Sequence, residues 1–321
     1  VLVNSRFKSL ILVLSLLTGL LFVNFEGFVQ LIFGAQSLAT WEDPNVNKKI
    51  NRLYSLLLNP NLLGAYLLVT WTFLLYFSKI AFLKKNFLFF LCLFILVLFN
   101  LLLIFKTASR GAWLGLFIQL ILYFIFFIQF FKINKLFKSF TIAGLISGFF
   151  FIFSQQAFYE RLTSLFTTYN HSSNSFRMYV WDSCLKMFFD NFFFGIGPGS
   201  KSFYQAYSLY MHANYSALGA YSLILEIGVE LGILGLISFV FLFLSLLNKL
   251  IKNFTFFLKP NLSFKKEKEL WFNLCLALAL SGIFVQNLFD IVILRPQVLF
   301  TVVFLFFLVN QIKKSNLTKN Y

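Results

Sequence analysis

Eight apolar runs, most of them long enough to cross a bilayer, constrain this chain more than any other feature. They lie near Leu10–Phe33, Leu62–Phe77, Phe87–Phe105, Ala112–Phe131, Phe140–Phe153, Ala217–Leu247, Leu270–Leu288 and Val298–Val309. A helix needs about 20 apolar residues to span the hydrocarbon of a bilayer. Hydrocarbon offers no partner to a backbone N–H or C=O, and within one continuous segment only a helix pairs them all. A transmembrane barrel would instead show short segments of alternating polarity, which this chain does not have. The fold class expected is therefore all-α, a polytopic transmembrane helical bundle of about eight spanning helices with a large external loop. Residues 1–321 are read as one integral membrane domain. The Phe140–Phe153 run is short for a full crossing. The run from Ala217 is long enough to begin as an interfacial or re-entrant piece.

Composition excludes the soluble alternative. With 60% hydrophobic and 12% charged residues, the chain lacks the polar side chains needed to cover a water-facing surface of this size. The net charge of +16 is explained by topology. With eight crossings both termini share one side. The loops on that side, 79–85, 132–138 and 249–268, and the tail at 313–319 are rich in lysine and opposed only by Glu267 and Glu269. Lysine and arginine accumulate on the cytoplasmic face. The expectation is a multi-pass protein of the cytoplasmic (plasma) membrane with both termini in the cytoplasm and membrane lipid around it. No basic patch interleaved with aromatics lies in a soluble segment, so nucleic acid is not an expected partner. Cys92, Cys184 and Cys275 have no disulfide or metal-ligand spacing, and neither a metal nor another cofactor is expected.

Arginine follows the opposite rule from lysine here. Arg52, Arg110, Arg161, Arg177 and Arg295 all fall on the non-cytoplasmic side, leaving only Arg6 on the other. Either cation can set topology, but a planar, bidentate donor suits an oxyanion. Two external segments are long enough to hold a site, Gly34 to Asn59 and Ser154 to Ser216. Asn59-Pro60 at the end of the first is a helix-start signal.

In the longer loop, "SFRMYVWDSCLKMFFD" places Phe176, Tyr179, Val180, Cys184, Met187 and Phe188 at helical spacing, with Arg177, Trp181 and Leu185 on a second row. An amphipathic helix lying on the membrane surface is expected. Arg177 near its start opposes the helix dipole and calls for a partner, which is either a lipid phosphate or a substrate. "GIGPG", residues 195–199, reads as a tight turn rather than a dinucleotide fingerprint, since no strand precedes it. Arg110, in "KTASRGAWLG", stands at a helix mouth, where a guanidinium must face a cavity or a partner. Ser222, Glu226 and Glu230 recur one turn apart on an otherwise apolar helix. Two readings stand side by side: an ion pair of Arg110 or Arg177 with Glu230, or a charged cleft around an anionic substrate.

The succession "TASRGAWLG", Arg177 with Trp181, "GIGPGSKSF" and "EIGVELGILG", spanning about 59–239, resembles the O-antigen ligase and polymerase family. The resemblance implies a multi-spanning protein with a large periplasmic loop. It also implies arginines that engage the diphosphate of an undecaprenyl-linked glycan, which here match Arg110 and Arg177. Members are usually longer, which implies further N-terminal helices ahead of Val1. In its ligases a loop histidine is the base, and its His-Asn pair falls on Tyr221-Ser222 of this chain. A phenol with a usual pKa of about 10 is a poor base at neutral pH. His212 lies nine residues upstream in a different register, and His171 sits at a loop tip.

"NPNLLGAYLL" with "ALGAYSLILEIGVELG" is more similar to the cyanobacterial branch named for bicarbonate, or inorganic-carbon, transport, which keeps Tyr-Ser at that pair. The resemblance therefore implies two functions. One is a transporter-like protein binding an anionic small molecule at an external arginine-lined cavity. The other is an enzyme, a glycosyltransferase acting on a lipid-linked diphosphate glycan for the cell envelope. In either, Arg110, Arg177, Tyr221, Ser222, Glu226 and Glu230 are the expected substrate contacts, with Arg177, Tyr221 and Glu230 the candidates for catalysis.

Overall fold

The computed structural model describes residues 5–36, 52–130, 173–212, 215–256 and 264–317. The expected Phe140–Phe153 span, Arg161 and His171 lie outside the described residues. The described residues form nine helices and no strand: α1 (Ser5–Phe33), α2 (Pro60–Leu83), α3 (Phe87–Lys106), α4 (Arg110–Phe130), α5 (Ser173–Asp190), α6 (Ser200–Tyr210), α7 (Leu223–Phe256), α8 (Phe264–Asn287) and α9 (Pro296–Leu317). Six of them carry stretches long and apolar enough to cross a membrane, in α1, α2, α3, α4, α7 and α8, and α9 adds a shorter apolar stretch, Pro296–Leu308. The protein is a polytopic helical membrane protein.

The chain divides into two compact units, the first made of residues 1–35, 52–120 and 239–321 and the second of residues 36–51 and 121–238. In the first unit α2 is the central helix, with Leu63, Leu67, Leu68 and Phe73 fully enclosed. Its start is set by the signal anticipated in the sequence. The Asn59 side chain accepts from the amides of Asn61 and Leu62, and Pro60 occupies the first turn, where its missing N–H costs nothing. Asn86 caps α3 in the same way through the Phe89 amide. On α3, Phe87, Leu88 and Ile95 stay exposed, as do Ile237, Phe241 and Leu244 on α7. Large apolar side chains on the outside of membrane-length helices are surfaces for lipid.

Lipid tails are as apolar as leucine, so helices in a bilayer associate through close packing and hydrogen bonds. The first unit has both. A Cβ on Gly64 would stand 2.6 Å from that of Ala112, and one on Gly115 would stand 2.6 Å from the Gly282 carbonyl oxygen, so α2, α4 and α8 meet backbone to backbone. Across this seam lies Gln119, fully buried. Its Nε2 donates to the carbonyls of Leu68 (2.9 Å) and Leu278 (2.8 Å), and its Oε1 accepts from Trp71 Nε1 (2.7 Å). One amide thus ties three helices.

The end of this unit where α2 begins is latched by Arg52, whose Nε donates to the Thr107 carbonyl and whose Nη2 donates to Asn61 Oδ1, both at 3.1 Å. Asn61 in turn donates to Asp290, and Gln286 donates to the Asn61 carbonyl. Arg52, one of the five arginines on the non-cytoplasmic side, thus joins the end of α3 to the start of α2.

Replacing Gln119 by Leu keeps the volume but strands the Trp71 indole N–H. The expected loss is about 1–3 kcal/mol of stability, seen as a lower melting midpoint of the purified protein in detergent; an unchanged midpoint would show that the amide does not tie the seam.

Candidate functional site

In the second unit, α5 presents three different faces. Val180, Ser183, Cys184 and Met187 are fully buried. Met178, Leu185 and Phe189 form an exposed apolar stripe at spacings of seven and four, while Tyr179, Asp182 and Lys186 form a second exposed stripe at spacings of three and four. The sequence pattern placed Tyr179 on one apolar face with Val180, Cys184 and Met187. The helix turns it outward, because burial centres between Val180, Cys184 and Met187. Burial, with the Glu226 carboxylate nearby, pushes the Cys184 thiol up to about 12, so it is no nucleophile.

Helix α7 is broken at Gly232, inside the long run from Ala217 that the sequence lets begin as an interfacial or re-entrant piece. Gly232 has φ 67° and ψ −164°, so the helix stops at Leu231 and starts again at Ile233. Such a break frees backbone groups, and in a membrane helix they must find partners. The GIGPG turn supplies them. Ile196 N donates to the Val229 carbonyl (2.9 Å), Gly197 N to the Glu230 carbonyl (3.0 Å), and Ile233 N donates back to the Phe192 carbonyl (2.8 Å). The approach is too close for side chains. A Cβ on Gly195 would lie 2.4 Å from the Glu230 carbonyl carbon, and one on Gly232 would lie 2.4 Å from the Phe193 oxygen. Both glycines also hold positive φ. The turn expected at residues 195–199 is present, and its role is to complete the broken helix.

The two helical acids secure the same region. Glu230 Oε1 accepts from the Gly199 amide at 2.9 Å, so its partner among the described residues is a backbone N–H; of the two sequence readings, the ion pair with Arg110 or Arg177 is not the one formed. Glu226 Oε2 accepts from the Ala220 amide at 2.5 Å, while Trp181 Nε1 donates to the Ala220 carbonyl at 2.9 Å. Ala220 is held at both ends. The next residue, Tyr221, takes φ 52°, a left-handed backbone that costs a tyrosine about 1 kcal/mol or more. Buried Ser222 follows, and its carbonyl accepts from the Glu226 amide in the first turn of α7. The expected run Ala217–Leu247 therefore becomes helix only from Leu223.

This clamp sets the Tyr221 ring against the start of α5. The Arg177 guanidinium lies 5.8 Å from its ring centroid, and Phe176 meets the same ring edge-on at 5.5 Å. An aromatic face in this position favours the cation and limits its directions. Of the expected site residues, Arg177, Tyr221, Ser222, Glu226 and Glu230 are thus gathered within one unit. Arg110, half-buried at the first residue of α4, belongs to the other unit.

Sequence reading missed Asp182. It bonds Lys186 Nζ at 2.7 Å and faces His212 Nε2 at 2.8 Å. Hydrogen bonds from Lys186 first and His212 second hold its carboxyl below the usual range. Against an ionised carboxylate Nε2 of the ring carries the proton, which leaves Nδ1 of a neutral His212 as an acceptor. Helical spacing would have exposed the Asp182–Lys186 pair, but not the arrival of His212 from another segment. Ser183 Oγ donates to the Tyr210 carbonyl, and Tyr210 Oη to Asp190, fastening α6 to α5. The Asp190 carboxylate raises the Tyr210 phenol accordingly.

Residues 95–240 match the family model described as O-Antigen ligase. The match takes in Arg110 and every gathered residue of the second unit, and it begins after the 59–94 portion of the resemblance read from sequence. A comparison with curated proteins finds no match.

Two outcomes follow. Gly232→Ala should undock the GIGPG turn, seen as faster amide hydrogen exchange at Ile196 and Gly197; unchanged exchange would refute the pairing. A depressed carboxyl stays ionised down to lower pH, so ¹³C-labelled Asp182 should titrate below an ordinary aspartate and return toward the usual range in Lys186→Ala and His212→Ala; titration at the usual value in the parent would contradict the cluster.

Proposed function

We propose that this protein is a glycan transferase of the O-antigen ligase type, acting on a lipid-linked diphosphate saccharide at the non-cytoplasmic face of the membrane. The observation that carries the reading is the Arg177–Tyr221 pair. A guanidinium stands over an aromatic ring on a strained backbone, fixed by Glu226 and Trp181, inside the segment that matches the family. Held strain of this kind is characteristic of functional positions.

In such a transfer the bond between the anomeric carbon and the phosphate oxygen breaks as an acceptor hydroxyl oxygen bonds to that carbon. The hydroxyl proton passes to a base, and the diphosphate departs with the electron pair. Arg177 would bind the diphosphate and stabilise the charge that grows on the phosphate oxygen released from the anomeric carbon, the kind of interaction worth most when the cation is already positioned. Tyr221 orients the guanidinium. Glu226 and Glu230 act through the backbone, holding the segment that carries Tyr221 and the GIGPG turn.

The resemblance to the inorganic-carbon branch supports a second reading, in which the same arginine holds bicarbonate during transport. The two differ in a direct assay. Reconstituted protein given a lipid-linked diphosphate glycan and an acceptor should transfer the saccharide, and Arg177→Ala should lower kcat by about 10²-fold or more, as loss of a preorganised charge donor does. Arg177→Lys should recover only part, because an ammonium lacks the planar fork. Radiolabelled bicarbonate entering proteoliposomes in an Arg177-dependent way, without transfer, would replace this reading with the transport one.

A further inference from the structure

From the Arg177–Tyr221 pair a continuous row of rings crosses α5. Phe176 touches Tyr221 and, at 6.1 Å between centroids, Tyr215; Tyr215 lies 4.6 Å from Tyr179, and Tyr179 lies 5.0 Å from the His212 ring. The row ends at the Asp182–Lys186 pair. The rings are not filler for a core. Tyr179 is 40% exposed, and Tyr215 and His212 are partly open. The segment bearing Tyr215 is fixed from beneath by buried Tyr207, which donates to the Tyr215 carbonyl at 2.8 Å.

The character of this face decides what it can take. A lipid surface or an apolar protein partner would have to strip water from Asp182 and Lys186, each about half exposed, in exchange for contact with the tyrosines. The stripe suited to lipid lies elsewhere on the helix, at Met178, Leu185 and Phe189. A ligand that satisfies rings and charges together needs a flat face of C–H groups, slightly positive, to lie on the negative face of a ring. It also needs hydroxyls at its edge for a carboxylate, an ammonium and an imidazole. A pyranose has both.

We propose that Tyr179 and Tyr215, rimmed by His212, Asp182 and Lys186, form a saccharide-binding platform that takes a sugar ring of the glycan, with the row of rings leading to Arg177. This rests on the transferase reading above and adds to it a separate subsite for the saccharide.

The test uses the full chain in lipid nanodiscs, probed on an array of defined neutral and acidic oligosaccharides. The parent should bind a subset of these, and Tyr179→Ala and Tyr215→Ala should each weaken that binding by about tenfold, a loss typical of one removed aromatic contact. Tyr179→Phe and Tyr215→Phe should bind nearly as the parent, since the face is kept. Asp182→Asn, on the exposed rim, gives a reading independent of whether the alanine variants fold, and should weaken binding as well. Failure of the parent to bind any saccharide, or equal binding by the alanine and Asp182→Asn variants, overturns the platform. Loss of association with lipid in place of saccharide binding assigns the rings to membrane anchoring and also overturns it. The two readings fail separately. Arg177-dependent transfer with saccharide binding indifferent to Tyr179 removes only the platform, whereas Tyr179-dependent binding without transfer removes only the transferase.

Discussion

The second unit depends on a debt of backbone hydrogen bonding. Gly232 interrupts a helix of membrane-spanning length, and the groups released at the break are met by the turn at residues 192–197. In water such a break could be left to solvent. In hydrocarbon it must be closed by protein, and the closure fixes the turn. Glu230 then reaches the Gly199 amide, and Glu226, one turn earlier, reaches Ala220. The strained Tyr221 and the Arg177 contact follow from that chain of pairings. What began as two carboxylates in an apolar run is best understood as the fastening of a loop to a broken helix.

How much of this was legible follows from the same physics. The spans were, because burying a backbone in lipid leaves a long apolar run only one conformation. α1, α2, α3, α4, α7 and α8 sit where the runs lie, and Asn59-Pro60 marks the start of α2 as its residues require. The break was not. A glycine in an apolar helix is equally a packing site, as Gly115 is against Gly282, and only the distant GIGPG turn distinguishes Gly232. Of the two readings of Glu230, the ion pair gave way for a related reason, since backbone amides compete for carboxylates and do not show in composition. Arg52 carries the same lesson. Its side of the membrane suited an oxyanion or a local partner alike, and its Nε and Nη2 go to Thr107 and Asn61.

The candidate site was half legible. Arg177, Tyr221, Ser222, Glu226 and Glu230 were named from spacing and resemblance, and the second unit brings them together. Asp182 and the exposed tyrosines were not, because their meaning depends on His212 and Tyr215 arriving from a segment beyond α6. Periodicity sees one helix at a time. It grouped Tyr179 with Val180 on one apolar face, because an aromatic beside Val180 looks part of that face until the true centre of burial is known.

The central claim is that the clamp on Tyr221 exists to aim Arg177 at a diphosphate. The most direct measurement is a cryo-EM map of the protein with undecaprenyl diphosphate bound. The account predicts phosphate density within hydrogen-bond reach of the Arg177 guanidinium, beside the Tyr221 ring. Diphosphate density elsewhere, with Arg177 contacting only protein or water, would contradict it.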